Sequence, residues 1–284
     1  MIKRIVVALD PDQDTPIATR YAIRLAKRFD ASLTGLAVVD TSNIQPVISV
    51  GAYGTEVYGH QIWEEMEEES KEIAKRLLDS FSGAVQKADV KHREVTRHGA
   101  SFEMIVEEMK YHDLLVVGRD SHFFYNEPDK DTKTLANVVK NGVAPTLVVT
   151  DAYHDVEKLM VAFDGSSPAA RSMQAFVHLL PYGSDLDIEL VNVAASNSSE
   201  DVGEASVILS QAESYLKEHR FSYVTKVVLD PGDVGKRLLE RQLTKNPDLV
   251  VMGAHSVSAL RRATFGSTTH FMITKSEGPL FLSP

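Results

Sequence analysis

The amino-acid sequence predicts two tandem α/β domains, each a doubly wound, five-stranded parallel sheet of the flavodoxin or Rossmann-like type. Three observations predict this fold. Short apolar segments alternate with helical segments, the whole set restarts in the same order near residue 156, and 284 residues is a length typical of two domains. Strands that alternate with helices pair in parallel through right-handed crossovers. We therefore expect domains at residues 1–150 and 156–284, with one large sheet as the alternative.

Each half opens with a β-branched strand that ends in an aspartate. The first reads IVVALD and ends at Asp10, and the second reads LMVAFD and ends at Asp164. A hydroxyl residue and a proline come next in both halves, as Thr15-Pro16 and Ser167-Pro168. A hydroxyl at the N-cap and a proline at the first helical position suit the unpaired N–H groups of a helix start. The expected helices cover about 17–29 and 169–180.

The later elements repeat with close spacing. The fourth strand of each half ends in glycine, at Gly118 and Gly253. The interval to the proline that opens the last strand is 27 residues in the first half and 26 in the second. Continuous apolar runs of this kind are typical of strands buried on both faces of a parallel sheet. The other expected strands are 33–39, 94–97 and 145–149, then 188–193, 225–229 and 279–282, with charged helices over about 63–78 and 205–218.

The composition excludes several functional classes. The sequence has no cysteine, which excludes disulfide scaffolds, cysteine-ligated zinc and thiol catalysis. Residues 1–150 carry 18 Lys and Arg against 23 Asp and Glu, and the rest carries 12 against 17. Neither half has the basic balance that nucleic acid or an anionic membrane would require of a partner. No apolar run approaches the ~20 residues that cross a bilayer, and no signal region opens the sequence, so we expect a cytoplasmic protein.

The segment after the fourth strand of the second half has the features of an anion site. Gly253 lets the backbone come close to a ligand, and Gly266-Ser267-Thr268 opens a helical stretch over 270–275. Unpaired N–H groups and hydroxyls at a helix start favour phosphate. Ordinary capping by a Ser or Thr is the alternative for this segment taken alone.

The spacing of this segment resembles the nucleotide loop of the universal stress protein (UspA) family: glycine, two residues, glycine, nine residues, glycine, then Ser or Thr. Gly253 fills the first position, Gly266 the third and Ser267 the hydroxyl position, while Ser256 stands where the second glycine is usual. The strand and turn VAFDGS, which ends at Ser166, also resembles that family. The chain is thus identified as a tandem, two-domain member with a fold of the universal stress protein type.

The resemblance implies that the second domain binds an adenine nucleotide, ATP, ADP or AMP, with Mg²⁺ as a companion of the nucleotide. Ser256 departs from the pattern, and its side chain either distorts the loop or donates a hydrogen bond to a phosphate. The expected site residues are Asp164 and the backbone near Val193 for adenine and ribose, and Gly253, Ser256, Gly266, Ser267 and Thr268 around the phosphates.

The first half departs much further from the family pattern. Gly118 is present, but Thr132 and Lys133 stand where the last glycine and the hydroxyl residue would be. Carboxylates, which repel phosphate, crowd the segment. We therefore expect that the first domain does not bind ATP in the manner of the family. The acidic residues are Asp120, Glu127, Asp129 and Asp131, with Asp10, Asp12 and Asp14 in the first turn.

Other candidate sites have simpler interpretations. The alternating Asp10, Asp12 and Asp14 lack the later glycine and glutamate of a calcium loop, which favours a solvated turn. His255 and His270 have no third ligand, so no metal site is expected. The aromatic run 123–125 is consistent with a core, a lid or a contact for a partner or apolar ligand. Trp63, Met66 and the loop 51–59 form a hypothetical cover over the first cleft.

No catalytic residues are expected, because the sequence has neither a nucleophile elbow nor a Walker loop with its lysine. The function predicted is a stress-response protein that binds an adenine nucleotide in its second domain as a regulatory ligand, with at most weak hydrolysis. The alternatives are a nucleotide-independent scaffold with unidentified protein partners, or a binder of another small or apolar ligand in the first cleft. Pairing of the two domains within the chain is expected to replace a homodimer of single-domain relatives, and a homodimer of the tandem chain is a further expectation.

Overall fold

The structure is a computed structural model, and it describes residues 1–42, 56–125, 133–254 and 267–284. The chain divides into two compact units, Ile2–Val138 and Val139–Pro284, called here the first unit and the second unit. No helix within the described ranges is both long and apolar enough to cross a membrane.

The first unit has four parallel strands in the order β3-β2-β1-β4. The strand order reverses at β1, since the chain runs outward to β2 and β3 and then returns to β4 on the other side. Its elements are β1 Arg4–Ala8, α1 Thr15–Phe29, β2 Ser32–Val39, α2 Glu56–Lys87, β3 His92–His98, α3 Ser101–Met109 and β4 Leu114–Gly118; α4 Thr134–Asn141 spans the division between the units.

The second unit repeats this order as β8-β7-β6-β9-β10, all parallel, and β5 pairs antiparallel with β10. The predicted α/β fold, with parallel strands and its set of elements repeated in order, is therefore confirmed. The antiparallel pairing of β5 with β10 and the four strands of the first unit differ from the two five-stranded parallel sheets that were predicted. Its elements are β5 Thr146–Val149, β6 Lys158–Ala162, α5 Ser167–Leu179, β7 Asp187–Val193, α6 Ser199–Glu218, β8 Tyr223–Leu229, α7 Val234–Lys245, β9 Leu249–Gly253, α8 Ser267–Lys275 and β10 Leu280–Ser283.

The apolar strands form the core of each unit. All of β4 and four of the five residues of β1 are buried, as continuous apolar runs predict for strands covered on both faces. The outer strands β3 and β8 are exposed or half-buried along their whole length, and β3 is polar at every position except Val95. Packing of the buried strands in the core fixes the positions of their carboxyl ends.

Two predicted helix starts are wrong by one residue. The N-cap of α1 is Asp14, and the Thr15 hydroxyl instead accepts a hydrogen bond from the N–H of Asp10 at 3.0 Å. The N-cap of α5 is Ser166, whose hydroxyl accepts from the N–H of Ala169 at 3.4 Å. In α5 the neighbouring Ser166 takes the capping role that a hydroxyl at position 167 was expected to play, whereas the side chain of Asp14 makes no capping hydrogen bond in α1. The charged helix α2 also extends well beyond the predicted 63–78.

Candidate functional site

A cleft of about 350 Å³ lies at the carboxyl ends of β6, β7 and β9 in the second unit. In an open α/β sheet, ligands bind at this edge, where the strand order reverses. The order β7-β6-β9 places that reversal at β6. The volume falls within the range of small-molecule sites.

The floor of the cleft is the point at which β6 and β7 separate. The N–H of Phe163 donates to the carbonyl of Val191 at 2.8 Å, which is the last bond between these strands. On the far side of β7, the N–H of Ala194 donates to the carbonyl of Leu229 at 3.0 Å. Because successive N–H groups of a strand point to opposite sides, the N–H of Val193 points back toward β6. No residue within the described ranges pairs with this N–H or with the carbonyl of Phe163, so both are available to a ligand.

Asp164 lies beside this floor and is exposed. Its Oδ1 accepts the N–H of Ser166 at 2.9 Å, in a turn that passes through Gly165 with φ of +79°. Such a φ is favoured by glycine and disfavoured by other residues. In the described part of the chain Oδ2 has no hydrogen-bond partner, so this oxygen can accept a hydroxyl from a ligand.

The end of β9 and the start of α8 form the opposite wall. The hydroxyl of Thr269, which is buried, donates to the carbonyl of Gly253 at 3.1 Å and ties the two elements together. Thr268 lines the cleft beside it. The first N–H groups of a helix have no partner within the helix, so α8 presents donors and the positive end of its dipole at this wall.

The structure brings four of the seven predicted site residues to this one cleft: Asp164, Val193, Gly253 and Thr268. Ser267 is the first residue of α8, and its side chain lies outside what the structure describes. Ser256 and Gly266 lie outside the described residues, so their roles stay predictions.

Part of the wall was not predicted from the sequence. Val234 and Leu238, from the start of α7, supply apolar surface, and Asn192 and Ala195 lie near the end of β7. Nothing in the sequence indicates that the apolar face of α7 turns toward this cleft rather than toward the core.

The corresponding position of the first unit is filled by a side chain of the chain itself. The bond from the N–H of Leu9 to the carbonyl of Leu36, 2.9 Å long, matches the bond between Phe163 and Val191. Leu9 therefore corresponds to Phe163, and Val38 corresponds to Val193. The hydroxyl of Tyr125 donates to the carbonyl of Leu9 at 2.9 Å and accepts the N–H of Val38 at 3.1 Å.

The aromatic run 123–125 is thus part of the core of the first unit. All three residues are at most 5% exposed. Of the interpretations left open by the sequence, the structure supports a core and gives these side chains no exposed surface for a lid or a contact. It also removes the main reason to expect another ligand in the first cleft. Of the loop 51–59 in the hypothetical cover, residues 51–55 lie outside the described residues, and residues 56–59 belong to the first turn of α2 and not to a loop.

The interpretation of Asp10, Asp12 and Asp14 as a solvated turn is wrong. Asp10 is 3% and Asp14 1% exposed. Asp10 accepts the N–H groups of His122 at 2.8 Å and Phe123 at 3.0 Å. The other two carboxylates bind the residues just before these: Asp14 accepts the N–H of Asp120 at 3.2 Å, and Asp12 accepts the hydroxyl of Ser121 at 2.5 Å. The side chains turn inward because the segment after β4 offers them donors.

Burial changes the acidity of these groups. Desolvation, with the adjacent charge of Asp12, raises the pKa of Asp10 to about 7, against the lowering effect of its two backbone bonds. Burial also raises the pKa of Asp14. Burial raises the pKa of Tyr125, so its hydroxyl stays protonated and remains a donor at neutral pH. Within the described ranges no group of three or more His, Asp or Glu residues is arranged to hold a metal ion.

Comparisons with known proteins give one consistent family. The model described as the universal stress protein family matches residues 1–149 and again residues 156–284. Universal stress protein Slr1230 of Synechocystis sp. is 22% identical over 291 residues, which cover 98% of this chain and 99% of that protein. Universal stress protein MJ0531 of Methanocaldococcus jannaschii is 30% identical over 151 residues, which cover 52% of this chain and 82% of that protein.

The fold is also similar to that of a solved structure. The crystal structure of a universal stress protein from Archaeoglobus fulgidus matches with a TM-score of 0.67 at 15% identity. The match covers 99% of this chain and 95% of that chain, so the likeness in fold extends over both repeats.

Proposed function

The chain belongs to the universal stress protein family, and we propose that the cleft of its second unit binds an adenine nucleotide as a regulatory ligand. The observation that carries this proposal is the open pair of backbone groups at the floor, the carbonyl of Phe163 and the N–H of Val193. Adenine offers a donor, its 6-amino group, next to an acceptor, N1. This edge is complementary to a carbonyl and an N–H side by side.

The walls of the cleft support a nucleotide rather than a free base. Val234 and Leu238 provide apolar surface against which a planar base can pack. The free Oδ2 of Asp164 is positioned to accept a ribose hydroxyl, and the start of α8 at Thr268 favours phosphate. The predicted contributions of Ser256, Gly266 and Ser267 belong to the same phosphate end.

The test is calorimetric titration of the purified chain with ATP, ADP and AMP, with GTP as the matched control. We expect uptake of about one adenine nucleotide per chain. Guanine presents an acceptor and a donor in the reverse order, so GTP should bind at least roughly tenfold more weakly, as expected when buried polar groups lose their partners. No uptake at millimolar adenine nucleotide would overturn the proposal and favour a nucleotide-independent scaffold.

Three finer expectations accompany the proposal. The nucleotide is expected to bind with Mg²⁺, the protein to act in the cytoplasm during stress, and the tandem chain to form a homodimer. Titration with and without Mg²⁺ tests the first, fractionation of cells the second, and sedimentation of the chain with and without nucleotide the third. Mass spectrometry of compounds released on denaturation identifies a ligand that is already bound.

A further inference from the structure

The first unit contains the same pair of backbone groups at its strand ends as the second, but they are not open. The carbonyl of Leu9 and the N–H of Val38 are both bonded to the hydroxyl of Tyr125, at 2.9 and 3.1 Å. A phenol hydroxyl has one hydrogen to donate and lone pairs to accept with, so one group satisfies both. Tyr125 is 5% exposed, and its ring fills the space beside these groups.

We propose that Tyr125 is an internal ligand of the first unit, occupying a site for an uncharged phenol-like molecule and closing this cleft to nucleotides. One part of this inference, that nucleotide uptake is confined to the second unit, rests on the proposed function. The other part, that Tyr125 occupies the first cleft, does not.

The backbone before Tyr125 is held in an unfavourable conformation, which indicates that its placement is strongly determined. Phe123 has φ of +59°, a region that bulky residues rarely adopt. Its N–H is bonded to Asp10, and its carbonyl lies 2.9 Å from the hydroxyl of Ser101. These bonds fix the chain on both sides of the Phe123 peptide and direct Tyr125 toward Leu9.

Carboxylates of the chain occupy the donors that follow β4. Asp14, Asp12 and Asp10 bind, in that order, the N–H of Asp120, the hydroxyl of Ser121 and the N–H groups of His122 and Phe123. In the second unit the residues after β9 are those predicted to bind phosphate. The first unit thus satisfies the equivalent donors with its own carboxyl groups, which occupy the donors that a phosphate would need, and those that are ionised repel phosphate. The ligand class that fits the site is therefore uncharged.

The experiment removes the internal ligand and supplies it from solution. Tyr125→Ala deletes the phenol, and p-cresol reproduces the deleted group. Calorimetry should show uptake of about one p-cresol per chain, with a dissociation constant of about 1 mM or lower for a ligand of this size. Wild type and Tyr125→Phe, which keeps the ring, should take up none. Uptake by wild type, or no uptake by a folded Tyr125→Ala chain, would overturn the proposal.

A second measurement keeps the proposal testable if the alanine variant does not fold. Tyr125→Phe removes only the hydroxyl, so the N–H of Val38 loses its partner. Hydrogen exchange of the Val38 amide should become at least roughly tenfold faster in this variant, while the amide of Leu9, bonded to Leu36, changes less. Unchanged exchange at Val38 would show that the hydroxyl does not hold this group. Neither readout involves nucleotide, so failure here is distinct from failure of nucleotide binding in the second unit.

Discussion

A Cβ atom placed on Gly253 would lie 2.7 Å from the backbone nitrogen of Ala169, at the start of α5. Side-chain carbons do not approach backbone atoms this closely, and the backbone of a helix start cannot yield as a flexible side chain can. Gly118, at the corresponding position of the first unit, is equally close to the Cβ of Asp14, at 2.6 Å. Both units keep this glycine, although in the first unit the backbone groups at the strand ends are bonded to Tyr125 and in the described part of the second unit they are open. Close packing therefore requires it independently of any ligand.

Gly253→Ala should destabilise the second unit by about 1–3 kcal/mol, because the added methyl group forces α5 away from β9. Hydrogen exchange in peptides from β9 and β10, followed by mass spectrometry, measures the change. Gly203→Ala is the matched control: it lies in α6 with no atom within 4 Å of its added Cβ. That change should stabilise the helix by roughly 0.5–1 kcal/mol. Equal exchange in Gly253→Ala and wild type would contradict the packing argument.

Asp164→Asn should weaken adenine nucleotide binding by roughly 5- to 30-fold, with little change in stability. Asn keeps an oxygen for the turn at Ser166 but removes the charge from the oxygen expected to accept a ribose hydroxyl. Calorimetric titration with ATP measures the effect. Asp185→Asn, an exposed aspartate outside the cleft lining, makes the same change in charge and should bind as wild type does. Equal weakening in both variants would indicate a general charge effect and not a contact of Asp164.

The strands and the shared cleft could be predicted from the sequence because their signals are local. The runs that end at Gly118 and Gly253 are buried on both faces, and a parallel sheet brings their carboxyl ends to one edge. The role of Tyr125 could not be predicted, because its partners Leu9 and Val38 lie 116 and 87 residues away along the chain. The inward turn of Asp10 depends on donors equally distant in sequence, whereas composition alone indicates an exposed loop.

Glu108→Gln should destabilise the first unit by roughly 1–3 kcal/mol. Glu108 is buried in α3 and pairs with Arg93, and with Arg97 at 2.9 Å, both on β3. The expected loss of stability is moderate for a buried ion pair. Both arginine side chains are about half exposed, so water can hydrate them when Glu108 no longer carries a charge. Denaturant unfolding followed by fluorescence of Trp63, the sole tryptophan of the sequence, reports on this unit.

Glu107→Gln is the control for that change. Glu107 is exposed on the same helix and pairs only with Lys110, three residues on, among the described residues. The free energy of unfolding of Glu107→Gln should differ from that of wild type by no more than about 0.5 kcal/mol. If the two variants unfold at the same denaturant concentration, Glu108 does not stabilise the packing of α3 on β3.

The stability of the first unit should depend on the ionisation of Asp10. Its pKa is raised in the folded chain to about 7, so the folded state binds a proton that the unfolded state has released between about pH 4 and 7. The contribution of this group is therefore fully present below about pH 4 and is lost as the pH rises through 7. Asp12, Asp14, His122 and Tyr125 also face this region.

Asp10→Asn isolates the contribution of Asp10, because Asn cannot ionise and the surrounding groups are the same in both chains. The free energy of unfolding of wild type minus that of the variant should fall as the pH is raised from about 4 to 7 and become level above it. Trp63 fluorescence in urea at a series of pH values provides both free energies. Asn also places an amide donor near the N–H of His122 or Phe123, which shifts the difference by a constant and leaves its slope unchanged. A difference that is flat or that rises with pH would show that Asp10 is ionised in the folded chain throughout this range, and that the N–H bonds to it outweigh its burial.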